Sequence, residues 1–379
     1  MIQKKNWRFT LMVLAGLAAL TASLAPKPFS QTKKEDWNQA KLPYEWSFPR
    51  DFGAHPEYKT EWWYFTGTIN GPAGEKFGYQ LTFFRSGIQK NPSSPQNSWS
   101  VRDLYLAHLT ITDIDRNQFL FEERMSRGGP GLAGAENGGM NVWLLNWSAR
   151  MEKGKIFLEA RKGEMAIRLN LTPKKPLVFH GQGGLSRKGP EEGQASFYTS
   201  YTDLDTSGTI SISKDQIYTV TGKSWFDHEF SSHMLSEEQA GWDWFSLHLS
   251  DGRELMIYLL RRRDGSVERV SSGTLTEPDG TWRHIKISGV SIDVLNSWRS
   301  HRSGGIYPGR WRIRIPDASI EIILLPQVAE QELVSSLIPG LIYWEGAVEG
   351  NGFSRNQEIT CRGYVELTGY AGSFKGIFD

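Results

Sequence analysis

Residues 224–260, SWFDHEFSSHMLSEEQAGWDWFSLHLSDGRELMIYLL, decide how the rest of the chain is read. In the first part, Trp225-Phe226-Asp227-His228-Glu229-Phe230, two carboxyl groups and an imidazole stand between large rings. That arrangement is costly unless the polar groups are hydrogen-bonded or used for chemistry. Read as a strand, it turns Trp225, Asp227 and Glu229 to one side and Phe226, His228 and Phe230 to the other. The second part reads as a hairpin. Trp242, Trp244, Ser246 and His248 alternate, Ser250-Asp251-Gly252 turns the chain, and Leu255, Ile257 and Leu259 bring it back. His228 and His233 are five residues apart, not the four of a helical zinc-protease motif, and the local pattern is strand-like, so that reading is set aside.

Working outward, a second hairpin of the same design lies near the amino-terminal end. Glu61-Trp62-Trp63-Tyr64-Phe65 opens a strand, Asn70-Gly71-Pro72-Ala73-Gly74 turns it, and residues 77–85 return. Both hairpins begin in a Trp-rich strand, turn through Gly and end in an apolar strand closed by Arg, which reads as an internal duplication. Between and after them, strand-like runs are expected at 105–111, 142–151, 155–160, 165–171, 197–204, 208–213, 218–225, 267–276, 281–287, 289–295, 309–315, 319–325, 341–348 and 363–367. The Gly-rich segment 126–139 is expected to cross a barrel mouth or stay mobile, and 328–337 to form a short helix. The sum is an all-β chain of two tandem antiparallel β-barrel domains, at 44–230 and 231–379. A closed barrel of this kind can hold one apolar ligand in its lumen.

Composition supports this. Fifteen Trp and 39 Gly suit strands and tight turns. With 43 Lys+Arg against 42 Asp+Glu, no broad basic surface is implied and nucleic acid is excluded as a partner. The single cysteine, Cys361, rules out an intrachain disulfide and a Cys-rich metal site. Residues 1–25 carry Lys4, Lys5 and Arg8 ahead of an apolar run that ends in small residues, the layout of a secretory signal. An uncleaved membrane anchor is the alternative, although the run is shorter than the ~20 apolar residues of a spanning helix. Residues 26–43 read as a polar tether, and the expected location is the periplasm or exterior, with possible contact to a membrane surface for ligand exchange.

Several segments together resemble one family. These are Pro49-Arg50-Asp51-Phe52-Gly53-Ala54-His55-Pro56, Thr60-Glu61-Trp62-Trp63-Tyr64, Trp225-Phe226-Asp227-His228-Glu229, Tyr343-Trp344-Glu345-Gly346 and Gly363-Tyr364-Val365-Glu366-Leu367-Thr368-Gly369-Tyr370. The combination is similar to the AttH and carotenoid 1,2-hydratase (hydroxyneurosporene synthase) superfamily of secreted proteins. The resemblance implies two lipocalin-like barrels and a hydrophobic isoprenoid or lipid ligand.

It also implies a hydro-lyase that adds water to a C=C bond without metal or organic cofactor. The slow step, protonation of carbon to a cation, needs an acid held protonated in a dry pocket, aromatic faces and a positioned water. On this reading Asp227 or Glu229 is the acid and His228 orients or deprotonates the water. Trp225, Trp242, Trp244 and Tyr258 line the cation, with Glu61, Trp62, Trp63 and Tyr64 completing the pocket. The dedicated hydratases place Trp two residues after the central His and Asp two residues after a Tyr on the next strand. Here Phe230 and, if Tyr258 is the match, Leu260 stand there, which points to another hydrophobic substrate or to a non-catalytic periplasmic carrier.

Overall fold

The alternation expected for the central strand is what the chain adopts. The computed structural model describes residues 37–90, 101–233 and 235–372. Among them are 23 strands and three short 3-10 turns. The apolar run expected to be a signal lies outside the described residues. No helix among those described is long and apolar enough to cross a membrane.

The strands form two curled antiparallel sheets, a nearly closed barrel and a half-barrel, the two lipocalin-like units expected. In the 13-stranded first sheet, Thr60–Asn70 lies between its hairpin partner Lys76–Gly87 and the last long strand, Gln216–Ser231. In the 10-stranded second sheet, Gln239–Leu249 lies in the same way between Glu254–Arg262 and Gln357–Thr368. The two Trp-rich hairpins thus hold equivalent places. Each also carries an internal ion pair, Arg85 to Glu61 (3.1 Å) and Arg261 to Asp243 (2.7 Å).

Three expectations of local structure are corrected. Residues 328–337 are not helical. Glu332–Val334 pairs as a strand with Ile342–Ser354, because Glu332 is buried and accepts hydrogen bonds from Ser300, Ser303 and Tyr307 that a helix would break. The run 142–151 is two strands, Asn141–Leu144 and Trp147–Glu152, reversed at Leu145, whose φ of 57° lies in the left-handed region. Conversely, 197–204 and 208–213 are parts of one strand, Ala195–Ser213. The Gly-rich segment is partly ordered into Ala133–Ala135, paired with Asn141–Leu144. Ala40 is buried and the Asn38 amide bonds Glu57, so the chain is packed from that point.

Each sheet fills its own concave side. Trp63, Phe65, Leu81, Phe83, Trp147 and Phe226 form the core of the first, and Phe245, Leu247, Ile257, Trp311, Trp344 and Val365 that of the second. A third cluster draws on both sheets, with Tyr64, Tyr198 and Trp225 from one and Trp244, Met256, Tyr258 and Tyr364 from the other. The two units therefore pack through their outer walls. Contact is close enough that a Cβ at Gly78 would lie 2.5 Å from the Tyr364 hydroxyl and 2.8 Å from the Ala347 methyl, so any larger residue there would push the walls apart.

Candidate functional site

A cavity of about 140 Å³ lies between these two outer walls, and neither barrel lumen holds it. This revises the expectation of a ligand inside a barrel: both lumens are occupied by side chains, and the hollow falls where the sheets face each other. Asp227, Glu229 and Ser231, alternate residues at the end of Gln216–Ser231, project into it. Across the ladder, Tyr64 stands opposite Asp227 and Trp62 opposite Glu229, so these four share one face.

Asp227 accepts hydrogen bonds from the Tyr198 hydroxyl (2.7 Å), the Trp225 indole (2.6 Å) and the Ser200 hydroxyl. Trp244 of the second sheet donates in turn to the Tyr198 oxygen (3.0 Å), so the acid is tied across the interface. Burial raises the Asp227 pKa to about 7, and the three donors offset only part of that. Glu229 pairs with Lys188 (2.7 Å) and accepts from Ser196. The Lys188 ammonium also lies over the Tyr258 ring at 4.5 Å. Burial works against its charge, but Glu229, Tyr258 and Asp227 together outweigh burial and raise its pKa.

The second sheet supplies two more acids. Glu345 and Glu366 are direct cross-strand partners. Glu366 accepts from the Trp242 indole (2.8 Å), and burial, aided by Asp227 and Glu229, raises its pKa to about 7. Glu345 accepts from the Tyr64 hydroxyl, and burial together with Glu366 holds its pKa well above the carboxylate range.

Of the residues singled out from sequence, Asp227, Glu229, Glu61, Trp62, Tyr64, Trp242, Trp244 and Tyr258 line the cavity. Trp225 packs edge-on against Trp244 behind Asp227. His228 and Trp63 point the other way, into the first barrel, where their rings stack at 5.1 Å. His228 lies between the Asp51 carbonyl (3.0 Å) and Glu61 (3.0 Å), and burial lowers its pKa. Although Glu61 borders the cavity, its oxygens are used on this inner side, by His55 (2.7 Å to the ring, 2.9 Å to the amide), His228 and Arg85.

His55, Glu61 and His228 bring three ligand atoms within 4.8 Å of one another. A cation there would have to displace the His55 proton, since Glu61 and Asp51 outweigh burial and raise the His55 pKa to about 9. Lys188, Tyr198, Ser200, Glu345 and Glu366 carry no role in the sequence reading. Glu345 and Glu366 lie within the family-like segments Tyr343-Trp344-Glu345-Gly346 and 363–370, but what faces them depends on contacts between the sheets that the sequence does not display.

Among curated proteins, no sequence matches the chain. An AttH protein of Nitrosomonas europaea has a crystal structure that is 33% identical, with a TM-score of 0.78 over 88% of this chain and 99% of that one. Kievitone hydratase from Nectria haematococca shares the fold at 13% identity, with a TM-score of 0.65 over 88% of this chain and 95% of the other. CghA with Sch210972 shares it at 12% identity and a TM-score of 0.50, over 83% and 89%. Residues 39–370 match the family model described as AttH-like, and the chain belongs to that family.

Proposed function

We propose that this protein binds a hydrophobic molecule, an isoprenoid or lipid end, in the cavity between its two sheets and adds water across a C=C bond by acid catalysis. The observation that carries the reading is the convergence of Asp227, Glu345 and Glu366 on a cavity walled by Trp62, Trp242, Trp244 and Tyr258. A carboxyl group poised near neutrality can give up a proton and take one back at the same pH, as general acid–base chemistry requires. Ring faces suit a developing carbocation. The fold shared with kievitone hydratase, a hydratase by name, agrees with this class of reaction.

The volume suits the end of a chain or a small ring system, not a whole carotenoid. Trp62, Phe84, Leu235 and Trp242, which are only partly buried, form the apolar approach to it. The N-terminal pattern, lysines before an apolar run, supports export of the mature protein.

A second reading, a non-catalytic carrier, draws on the three donors that hold Asp227, since such a carboxylate can serve only to shape the pocket. The test is incubation of purified protein with acyclic carotenoids and shorter isoprenoid alkenes, with mass spectrometry for products one water heavier. Asp227→Asn is expected to lower turnover on the order of 10²-fold while ligand affinity stays within about twofold. Tight binding with no hydrated product from any of these alkenes would establish the carrier instead.

A further inference from the structure

We propose that Glu345 and Glu366 form a dyad that shares a single proton and serves as the proton donor to carbon, facing Asp227 from the opposite wall; this rests on the hydratase reading above. The two residues are directly paired across neighbouring strands, Ile342–Ser354 and Gln357–Thr368, on the face turned to the first sheet, and both line the cavity. Side chains directly opposite in an antiparallel ladder have Cβ atoms about 5 Å apart. Two buried carboxylates at that separation resist being ionised together in the resting site, because each destabilises the other's charge as burial does. Glu345 is 1% exposed, and its Oε2 has no hydrogen-bond partner. A buried carboxylate oxygen with nothing to satisfy it is tolerable when the group is neutral and costly when it is charged.

Burial and the like charges facing the pair favour a retained proton, and two hydrogen-bond donors offset them only in part. Tyr64 and Trp242 donate to the Glu345 Oε1 and Glu366 Oε2 atoms, leaving the remaining oxygens for the shared proton or for substrate. Asp227 and Glu229 act on Glu366 from across the cavity with like charge. Of the cations lining the cavity, Lys188 is bound to Glu229, and Arg85 to Glu61 and Asp103.

The step balances. The π pair of the alkene takes the dyad proton to form a C–H bond, which carries the dyad from one negative charge to two, the second balanced by the carbocation formed beside it on the substrate. A water oxygen then bonds to the cation, and its surplus proton passes to the Asp227 carboxylate. Transfer of that proton back to the dyad through solvent restores both groups. The donor and the acceptor thus lie on different sheets, which explains why a cavity for a single substrate gathers acids from both walls.

The shared proton can be read without a substrate. Infrared difference spectra of wild type against Glu345→Gln, at pH 7, should show a protonated-carboxyl band that the variant lacks, while other buried acids cancel. Glu366→Gln should keep a Glu345 band but shift its titration midpoint downward, since the neighbouring charge is gone. No band assignable to Glu345, or a midpoint indifferent to Glu366, overturns the dyad. Asp227→Asn serves as the common background, so that its own titration does not intrude. With a hydrated substrate in hand, either Gln variant should lower kcat on the order of 10²-fold with little change in KM. Turnover that survives both substitutions defeats the proposal while the hydratase reading stands. A dyad seen spectroscopically in a protein that hydrates nothing leaves the pair intact and removes the hydratase reading.

Discussion

On the lumen side of strand Gln216–Ser231, His228 belongs to a cluster whose charges cancel. Glu61 takes hydrogen bonds from His55, His228 and Arg85, and Asp51 lies 3.5 Å from the far nitrogen of His55. One residue earlier on the same strand, Asp227 faces a cavity where carboxyl groups outnumber the available cations and one oxygen of Glu345 has no partner. Both clusters are buried, and both join an acidic residue to aromatic walls. The first is balanced in the manner of a structural ion pair; the second is short of cations and holds carboxyl groups whose pKa values are raised toward neutrality, the imbalance on which the proposed proton transfer rests. Burial of charge is therefore a poor guide to function, and the imbalance of charge is a better one.

The largest expected effect tests the balanced side. Glu61→Ala leaves Arg85 and His55 buried with one counter-ion fewer and should destabilise the fold by about 3–5 kcal/mol. Chemical denaturation measures it. Asp227→Asn, which keeps the shape and removes a strained charge, should cost no more than about 1 kcal/mol. Equal losses for the two would mean that the cavity acids are structural as well, and the contrast would fail.

The two clusters should also differ in where stability responds to pH. Asp227 has a folded pKa of about 7, raised from the ordinary Asp value, so the folded state holds its proton more tightly than the unfolded chain does. That contribution is complete below about pH 4 and is lost as pH rises through 7, with a slope of up to about 1.4 kcal/mol per pH unit. His55, raised to about 9, gives the same sign in another window: complete below the ordinary His value near 6.5 and lost as pH rises through 9. Glu366, also near 7, shares the lower window. Stability curves at a series of pH values should therefore flatten between pH 4 and 7 in Asp227→Asn, whereas His55→Gln should flatten only the upper window. A variant that changes both windows would show that the two faces of the strand are electrically coupled.

Much of this fold could be read from the chain because strand alternation and Gly-marked turns are local signals. The hairpins at Thr60–Gly87 and Gln239–Arg262 and the opposite facing of Asp227 and His228 follow from a period of two. Residues 328–337 were misread because the buried carboxyl of Glu332 is satisfied by Ser300, Ser303 and Tyr307, about thirty residues distant, and no local pattern reveals that. The site was half legible for the same reason. Its acids at 227 and 229 stood out among rings, but that their partners would be Tyr198, Lys188, Glu345 and Glu366 depends on sheet register and on two outer walls meeting. Alternation also could not say which face looked outward. The imidazole, the more suggestive group in the sequence, took the inner one.

The smallest expected effect falls on Tyr64, where the two sheets exchange a hydrogen bond. Its hydroxyl reaches from the first sheet to Glu345 in the second, and burial, with Glu345 and Glu366 nearby, keeps it firmly protonated. Tyr64→Phe removes the donor without opening much space and should cost about 1 kcal/mol in chemical denaturation. Because that donor stabilises the charged form of Glu345, its loss should move the Glu345 titration upward, while Glu366→Gln moves it downward. The opposite directions matter more than either size. A hydrogen bond and a like charge act on the same carboxyl with opposite sign, so a single titration followed in both variants separates a proton held by the pair from one held by burial alone.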